Sequence, residues 1–517
     1  MSETSSNNKR IAKNTVMLYI RMLLIMVVTL YTSRVVLEVL GVEDFGIYNV
    51  VGGVVAILGF FTSSLSNAAQ RYMSIGLGEN DLLETEHAFR QSVTLMFLLS
   101  IVLFIIGETI GLWFVYNKLV IPAGRLQAAV WIYHFSLVSV ISAINQVPLM
   151  AAIIARERMN IYAYLGLFEA FTKLAIVYIL MLTNSIDSLI MYGGLMAIVS
   201  ILTFLFYLFY CVHNFLECKY SFYWNRPLVK EMLHFISYNL FGCFAWSAGV
   251  QGTNIILNLF FGPTVNAARA IAVQVSAVVT HFTGNIMTAV KPQIIKSYVS
   301  GEKEYMMTLI ERSTKYAFFF TSLLAIPIII EIEFILQLWL GQVPEYTVSF
   351  TRLVLCESLF GVFTPSLWIA TNATGRIKNN QVYGRLITLS ILPLSYLMLR
   401  FFSDPKIPFV IAIFSNIIYW FYCLFDIRKQ LSLNIKRYII EVVKPTFILS
   451  ILLTGIGIIE SYLIGEDSVF RFIIIFSSLS LVGILIILII LHKNERDFLI
   501  LFIIKYIHLN KNRICNR

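Results

Sequence analysis

The chain has 517 residues, of which 58% are hydrophobic and 13% charged, with a formal net charge of +10. A soluble chain of this length needs about a quarter of its residues charged to solvate its surface, so a soluble globular protein is excluded. The cations fall in short loops between apolar runs, the positive-inside pattern, which argues against a nucleic-acid-binding face.

The chain opens with "MSETSSNNKRIAKN", polar and basic. The apolar run behind it is too long for the h-region of a cleaved signal peptide, so the chain is expected to start in the cytoplasm and insert through its own helices. About 20 apolar residues cross a hydrocarbon core of about 30 Å. Fourteen such runs are predicted, centred near Ile25, Val55, Ser100, Ser139, Ile176, Ile201, Phe244, Val278, Leu323, Phe360, Ser390, Phe414, Leu452 and Leu479. The eight inward segments then carry 28 Lys and Arg, against four in the outward loops: Lys118, Arg125, Lys406 and Arg471. That imbalance predicts both termini inside. The six cysteines have no partner in an outward loop, so no structural disulfide is expected, and no spacing suits a metal.

A weak internal repeat runs through the first twelve runs. "LGVEDFGIYN" from Leu40 and "FGPTVNAARA" from Phe261 each begin an outward loop that leads into a polar-flecked helix. Gly78-Glu79 recurs as Gly301-Glu302, and "VPLMAAIIARERMNIYAY" aligns with "TPSLWIATNATGRIKNNQVY". The predicted organisation is a cytoplasmic N-terminus (1–13), a six-helix N-lobe (14–214), a cytoplasmic linker (215–231), a six-helix C-lobe (232–428), a second linker (429–444), two further helices (445–492) and a basic cytoplasmic tail (493–517). This is an all-α polytopic membrane protein with about 14 transmembrane helices, two pseudo-symmetric lobes in parallel repeat and a C-terminal pair. Such repeats around a midplane cavity build many secondary transporters.

Charged groups inside the membrane are costly and mark function or pairing. Arg21 lies seven residues past Asn14, about 10 Å deep, and its stem can snorkel part of the way back. Arg34 precedes Glu38 by four residues, a spacing that places both on one helix face. Lys173 follows Glu169 by four, and an ion pair is expected there. Arg90 starts the third helix and Arg269 opens the eighth. The seventh, "SYNLFGCFAWSAGVQGTNIILN", is rich in amides, Ser and Gly, with Asn254 in its outer half; sugar contact and helix packing through small residues both account for it. Arginine binds phosphate bidentately and stays charged when desolvated, so a cavity of this kind suits an anionic passenger.

"SRVVLEVLGVEDFGIYNVV" resembles the junction of the first two helices in Wzx-type O-antigen and polysaccharide flippases, a branch of the multidrug/oligosaccharidyl-lipid/polysaccharide exporter superfamily. The likeness extends to the 6+6+2 layout and the basic tail, nearly the whole chain. It implies two lobes around a cavity that opens alternately to either side. The implied passenger is an undecaprenyl-diphosphate-linked oligosaccharide, moved from the cytoplasmic to the periplasmic leaflet, with a polysaccharide polymerase and chain-length machinery as partners besides the membrane lipids. Arg21, Arg34 and Arg269 become the expected contacts for diphosphate or acidic sugars, with Lys173, Arg90 and Asn254 as secondary ones. No cofactor is implied. Coupling to Na+ or H+ stays open, because the first helix is cationic and the seventh, eleventh and twelfth runs hold no carboxylate. A cation-coupled drug or small-metabolite exporter is the alternative. A membrane polymerase or glycosyltransferase is the second, disfavoured by short outward loops and dispersed histidines.

Overall fold

A computed structural model describes residues 3–79, 81–156, 158–182, 187–465 and 468–490. The predicted tail at 493–517 lies outside the described residues. The elements in order are α1 (Glu3–Ala56), α2 (Phe60–Gly78), α3 (Leu82–Ile106), α4 (Leu112–Asn117), α5 (Leu126–Ala155), α6 (Met159–Leu182), α7 (Ser188–Asn214), α8 (Arg226–Phe261), α9 (Pro263–Val299), α10 (Lys303–Leu340), α11 (Thr347–Gly361), α12 (Pro365–Thr374), α13 (Arg385–Leu389), α14 (Ile391–Phe401), α15 (Ile407–Leu431), α16 (Ile435–Tyr438), α17 (Lys444–Ile464) and α18 (Val469–Ile490). No strand occurs among the described residues. The chain is an all-α, multi-pass membrane protein.

Twelve stretches of the described residues are long and apolar enough to cross a membrane. They accommodate thirteen of the fourteen predicted runs: the stretch Arg21–Thr62 contains two, because α1 continues through a break at Gly41 instead of ending there. The fourteenth run, near Val278, falls in α9.

Gly41 has φ 77° and Gly262 has φ 79°. Both sit where the sequence repeat places an outward turn, and only glycine adopts such a conformation without a Cβ penalty. Elsewhere the helix ends are capped by side chains: Asp81 accepts from the amides of Leu83 and Glu84, and Asp187 from those of Leu189 and Ile190. Hydroxyls within apolar helices return their protons to the carbonyl four residues back, as Ser92, Ser100 and Thr321 do at 2.7–2.8 Å. Lipid offers no alternative partner.

The chain forms two compact units. The first comprises Met1–Val275, Trp339–Leu353 and Ile377–Tyr419. Its core includes Phe89, Met96, Ile144, Leu149 and Tyr207, drawn from α3, α5 and α7. The second comprises Ser276–Leu338, Val354–Arg376 and Trp420–Arg517. There α17 and α18 are fastened to α10 by a buried ion pair: Arg471 donates to Glu331 Oε1 through Nε at 3.1 Å and Nη2 at 2.9 Å, and Nη2 also donates to Ser461. A second polar link, Ser478 Oγ to Glu460 Oε2 at 2.6 Å, joins α18 to α17.

Candidate functional site

The first unit holds a half-open polar chamber of about 550 Å³. Six helices build its polar wall. The second arm of α1 supplies Tyr48 and Asn49, α5 supplies Ser136 and Ser139, α6 supplies Lys173, α7 supplies Ser200, α8 supplies Gln251 and Asn254, and α9 supplies Arg269 and Gln274. The Arg269 guanidinium is held by Nη2, which donates to the Val250 carbonyl at 2.7 Å. Lys173 Nζ lies 2.6 Å from Glu169 Oε1, the expected pair. Asn254 is 4% exposed; its Nδ2 donates to the Asn49 carbonyl at 3.0 Å, and Asn266 donates to its Oδ1 at 2.7 Å. Tyr48 packs edge-on against Tyr192, with ring centroids 4.8 Å apart. Arg269 and the Lys173–Glu169 pair leave this wall with an excess of one cation, beside amides and hydroxyls suited to polar ligands.

A second chamber of about 430 Å³ shares Ala143 and Ser200 with the first. Thr62, Gln146, Glu169 and Thr203 line it. The Glu169–Lys173 pair thus spans the junction, each partner belonging to a different chamber.

Of the residues expected from sequence, Arg269, Lys173 and Asn254 come together in the first chamber. Arg21 is in neither lining. Its guanidinium stacks over the Tyr162 ring of α6, 4.3 Å from the centroid, and lies against Gly166, where a Cβ would meet Arg21 Nε at 2.4 Å. Arg34 and Glu38 are both exposed, and no ion pair joins them among the described residues. Arg90 is committed elsewhere: it pairs with Glu86 at 3.2 Å, donates to the Phe222 carbonyl at 3.3 Å and lies over the Tyr223 ring. It ties the extended segment 215–225 to α3, with Thr94 and Gln91 accepting from the amides of Tyr223 and Asn225.

Arg125, read from sequence only as a loop cation, joins three elements. It donates through Nε to Asp44 Oδ1 at 2.7 Å and through Nη2 to Asp187 Oδ1 at 3.1 Å, with two further contacts to the same carboxylates. The Arg125 hydrogen bond holds the Asp187 carboxyl below its ordinary range, opposed by burial and aided by the α7 amides that Asp187 caps. Asp187 in turn raises the Arg125 guanidinium. Asp44 belongs to the motif "LGVEDFGIYN". Two residues on, Gly46 lies so close to Pro263 that a Cβ would meet its carbonyl oxygen at 1.9 Å. The motif is therefore a packing signature at one end of the chamber, with Tyr48 and Asn49 as its members on the wall. Tyr48, Ser136, Gln251, Gln274, Gln146 and Thr203 carry no charge, and only their polarity inside apolar runs marks them in the sequence.

Among solved structures, an inward-facing multidrug resistance MATE family transporter of the MOP superfamily is similar to this chain at TM-score 0.66 and 14% identity, covering 80% of this chain and 98% of its own. The lipid II flippase MurJ in an inward closed conformation is similar at TM-score 0.66 and 16% identity, covering 94% of this chain and all of its own. An outward-facing MATE structure reaches 0.56 at 15% identity. No family model and no curated protein matches the chain. The fold is the one these transporters share.

Proposed function

We propose that this chain is a flippase that moves undecaprenyl-diphosphate-linked oligosaccharide repeat units from the cytoplasmic to the periplasmic leaflet by alternating access, for O-antigen or other surface-polysaccharide assembly. Both termini then lie in the cytoplasm of a bacterial inner membrane, and a polymerase and chain-length machinery act downstream. The observation that carries this reading is the first chamber, which joins the Arg269 guanidinium to amides and hydroxyls. Guanidinium suits a diphosphate, and the neutral polar groups suit saccharide hydroxyls. Coverage supports it as well: the MurJ match extends over 94% of this chain and the MATE match over 80%. Arg269 is the leading anion contact, with Lys173 and Asn254 beside it. Arg21 and Arg34 contribute from outside the chamber linings, and Arg90 acts through the segment it tethers.

Deletion of the gene is expected to leave lipid-linked repeat units in the cytoplasmic leaflet and to abolish surface polysaccharide. Normal surface polysaccharide in a clean deletion rejects the proposal. Arg269→Ala is expected to impair export at least tenfold and Arg269→Lys less, because lysine keeps the charge but loses the fork. Wild-type export from Arg269→Ala removes Arg269 from the role. The equal TM-score to a multidrug transporter supports drug export as the second reading; it predicts drug sensitivity and intact polysaccharide in the same deletion.

A further inference from the structure

One end of the first chamber is closed. Its lining runs from Tyr48 to Ala56 on α1 and from Val250 to Asn254 on α8. Just beyond, toward the glycine turns at Gly41 and Gly262, Gly46, Asn258, Pro263 and Asn266 are all buried. This is the side that the reading above makes periplasmic. Two asparagines one turn apart on α8, and so on one face of it, make the closure. Asn254 donates to the Asn49 carbonyl of α1 at 3.0 Å. Asn258, 0% exposed, grips the loop between α4 and α5: its Oδ1 accepts from the Val120 amide at 2.9 Å, and its Nδ2 donates to the Val120 carbonyl at 3.2 Å.

Val120 lies outside any helix, so neither its N–H nor its C=O has a helical partner, and Asn258 serves both as a paired strand would. One turn further along α8 the closure continues without side chains. Val120 Cγ1 lies 4.0 Å from where a Cβ on Gly262 would stand, and a Cβ on Gly46 would run into the Pro263 carbonyl. The contacts that α8 and α9 make here are thus neutral and end on main chain. Main-chain N–H and C=O groups bond water about as well as they bond an amide. Withdrawal of α8 therefore leaves Val120 hydrated and strands no charge. Asn258→Leu, by contrast, covers the same two groups with an apolar side chain, and that is unfavourable only while the surfaces meet. The amide is thus matched to a contact that both forms and parts.

We propose that Asn258 is the latch of a gate at the periplasmic end of the first chamber, holding the Val120 main chain when the gate is shut and releasing it to water when α8 withdraws. The Gly46–Pro263 contact is the seal beside it. The inference rests on the alternating access and orientation in the reading above, and it holds for any passenger.

The test labels a cysteine placed on the chamber wall, Ser139→Cys, with a membrane-impermeant maleimide added to the outside of right-side-out vesicles. The six native cysteines stay, and the signal of the chain without Ser139→Cys is subtracted. Lys406→Cys, exposed in an outward loop, sets the rate for full access. With the latch intact, Ser139→Cys is expected to react about tenfold more slowly than Lys406→Cys, or slower still. Asn258→Leu and Gly46→Ala act from different helices, and each is expected to raise the Ser139→Cys rate about tenfold, the ratio set by one lost buried hydrogen-bonding contact. Cys211 and Cys423, both 0% exposed, report unfolding, and their labelling is expected to stay at the wild-type level. A rise there in both variants assigns the new access to unfolding and overturns the latch. So does a Ser139→Cys rate equal to that of Lys406→Cys with the latch intact, or one unchanged in both variants. No passenger enters the assay, so the latch and the polysaccharide reading fail separately.

Discussion

Arg21 and Arg34 share the first arm of α1 but meet different surroundings. Thirteen residues on an ideal helix separate their directions by about 140°, so one face cannot serve both. The sequence does not say which neighbour covers each, because that depends on the tertiary placement of α6. The structure covers Arg21 with Tyr162 and Gly166 and leaves Arg34 exposed. Gly166→Ala puts a methyl where the guanidinium lies; because that group ends a flexible side chain and can swing aside, the expected cost is below the ~1–3 kcal/mol of core overpacking, and thermal unfolding of the purified variant is expected to show only a small fall in Tm. The Arg125 clamp adds a pH dependence. Asp187 has a depressed carboxyl pKa, so its contribution is complete above the unfolded value of about 3.9 and is lost as pH falls through the folded value. The fall in Tm between pH 5 and pH 3 is therefore expected to be larger in the wild type than in Asp187→Asn.

At the scale of elements, most of the architecture was legible. Hydropathy and loop cations locate the spans because lipid admits few alternatives to an apolar helix. The glycine turns at Gly41 and Gly262 lie where the repeat predicts them. The docking of the C-terminal pair was not legible: Arg471 reads as one of four outward cations, and Glu331 lies 140 residues earlier. Glu331 is 1% exposed, and removing one partner of a buried pair typically costs about 3–5 kcal/mol. Arg471→Leu is expected to destabilise the chain by about that amount. Replacing both residues with leucine is expected to recover most of it, since apolar pairs often substitute well for buried ions. Equal Tm losses for the single and double variants would remove the ion pair as the fastening.

For the whole molecule, composition and topology pointed to a transporter before any contact was known. What they left out was the partition of the polar interior. Charge is conspicuous in an apolar sequence, so Arg269 and Lys173 stand out, but the division of one polar tract into cationic and hydroxyl-bearing parts depends on Ser200, Thr203 and Gln146. Such residues are common in membrane helices as packing and hydrogen-bonding groups, and only their convergence on one space distinguishes them. The drug-export and polysaccharide readings part at this scale too, because a single gene deletion separates their phenotypes.

The seating of Arg21 on α6 constrains how α1 moves. The guanidinium lies against Gly166 and over the Tyr162 ring. Sliding α1 along its own axis carries the guanidinium off that ring and forfeits the cation–π contact. Twenty residues on, Gly41 stands exposed with open space around its Cα. A bend at Gly41 leaves the Arg21 contact in place, so bending costs α1 less than sliding.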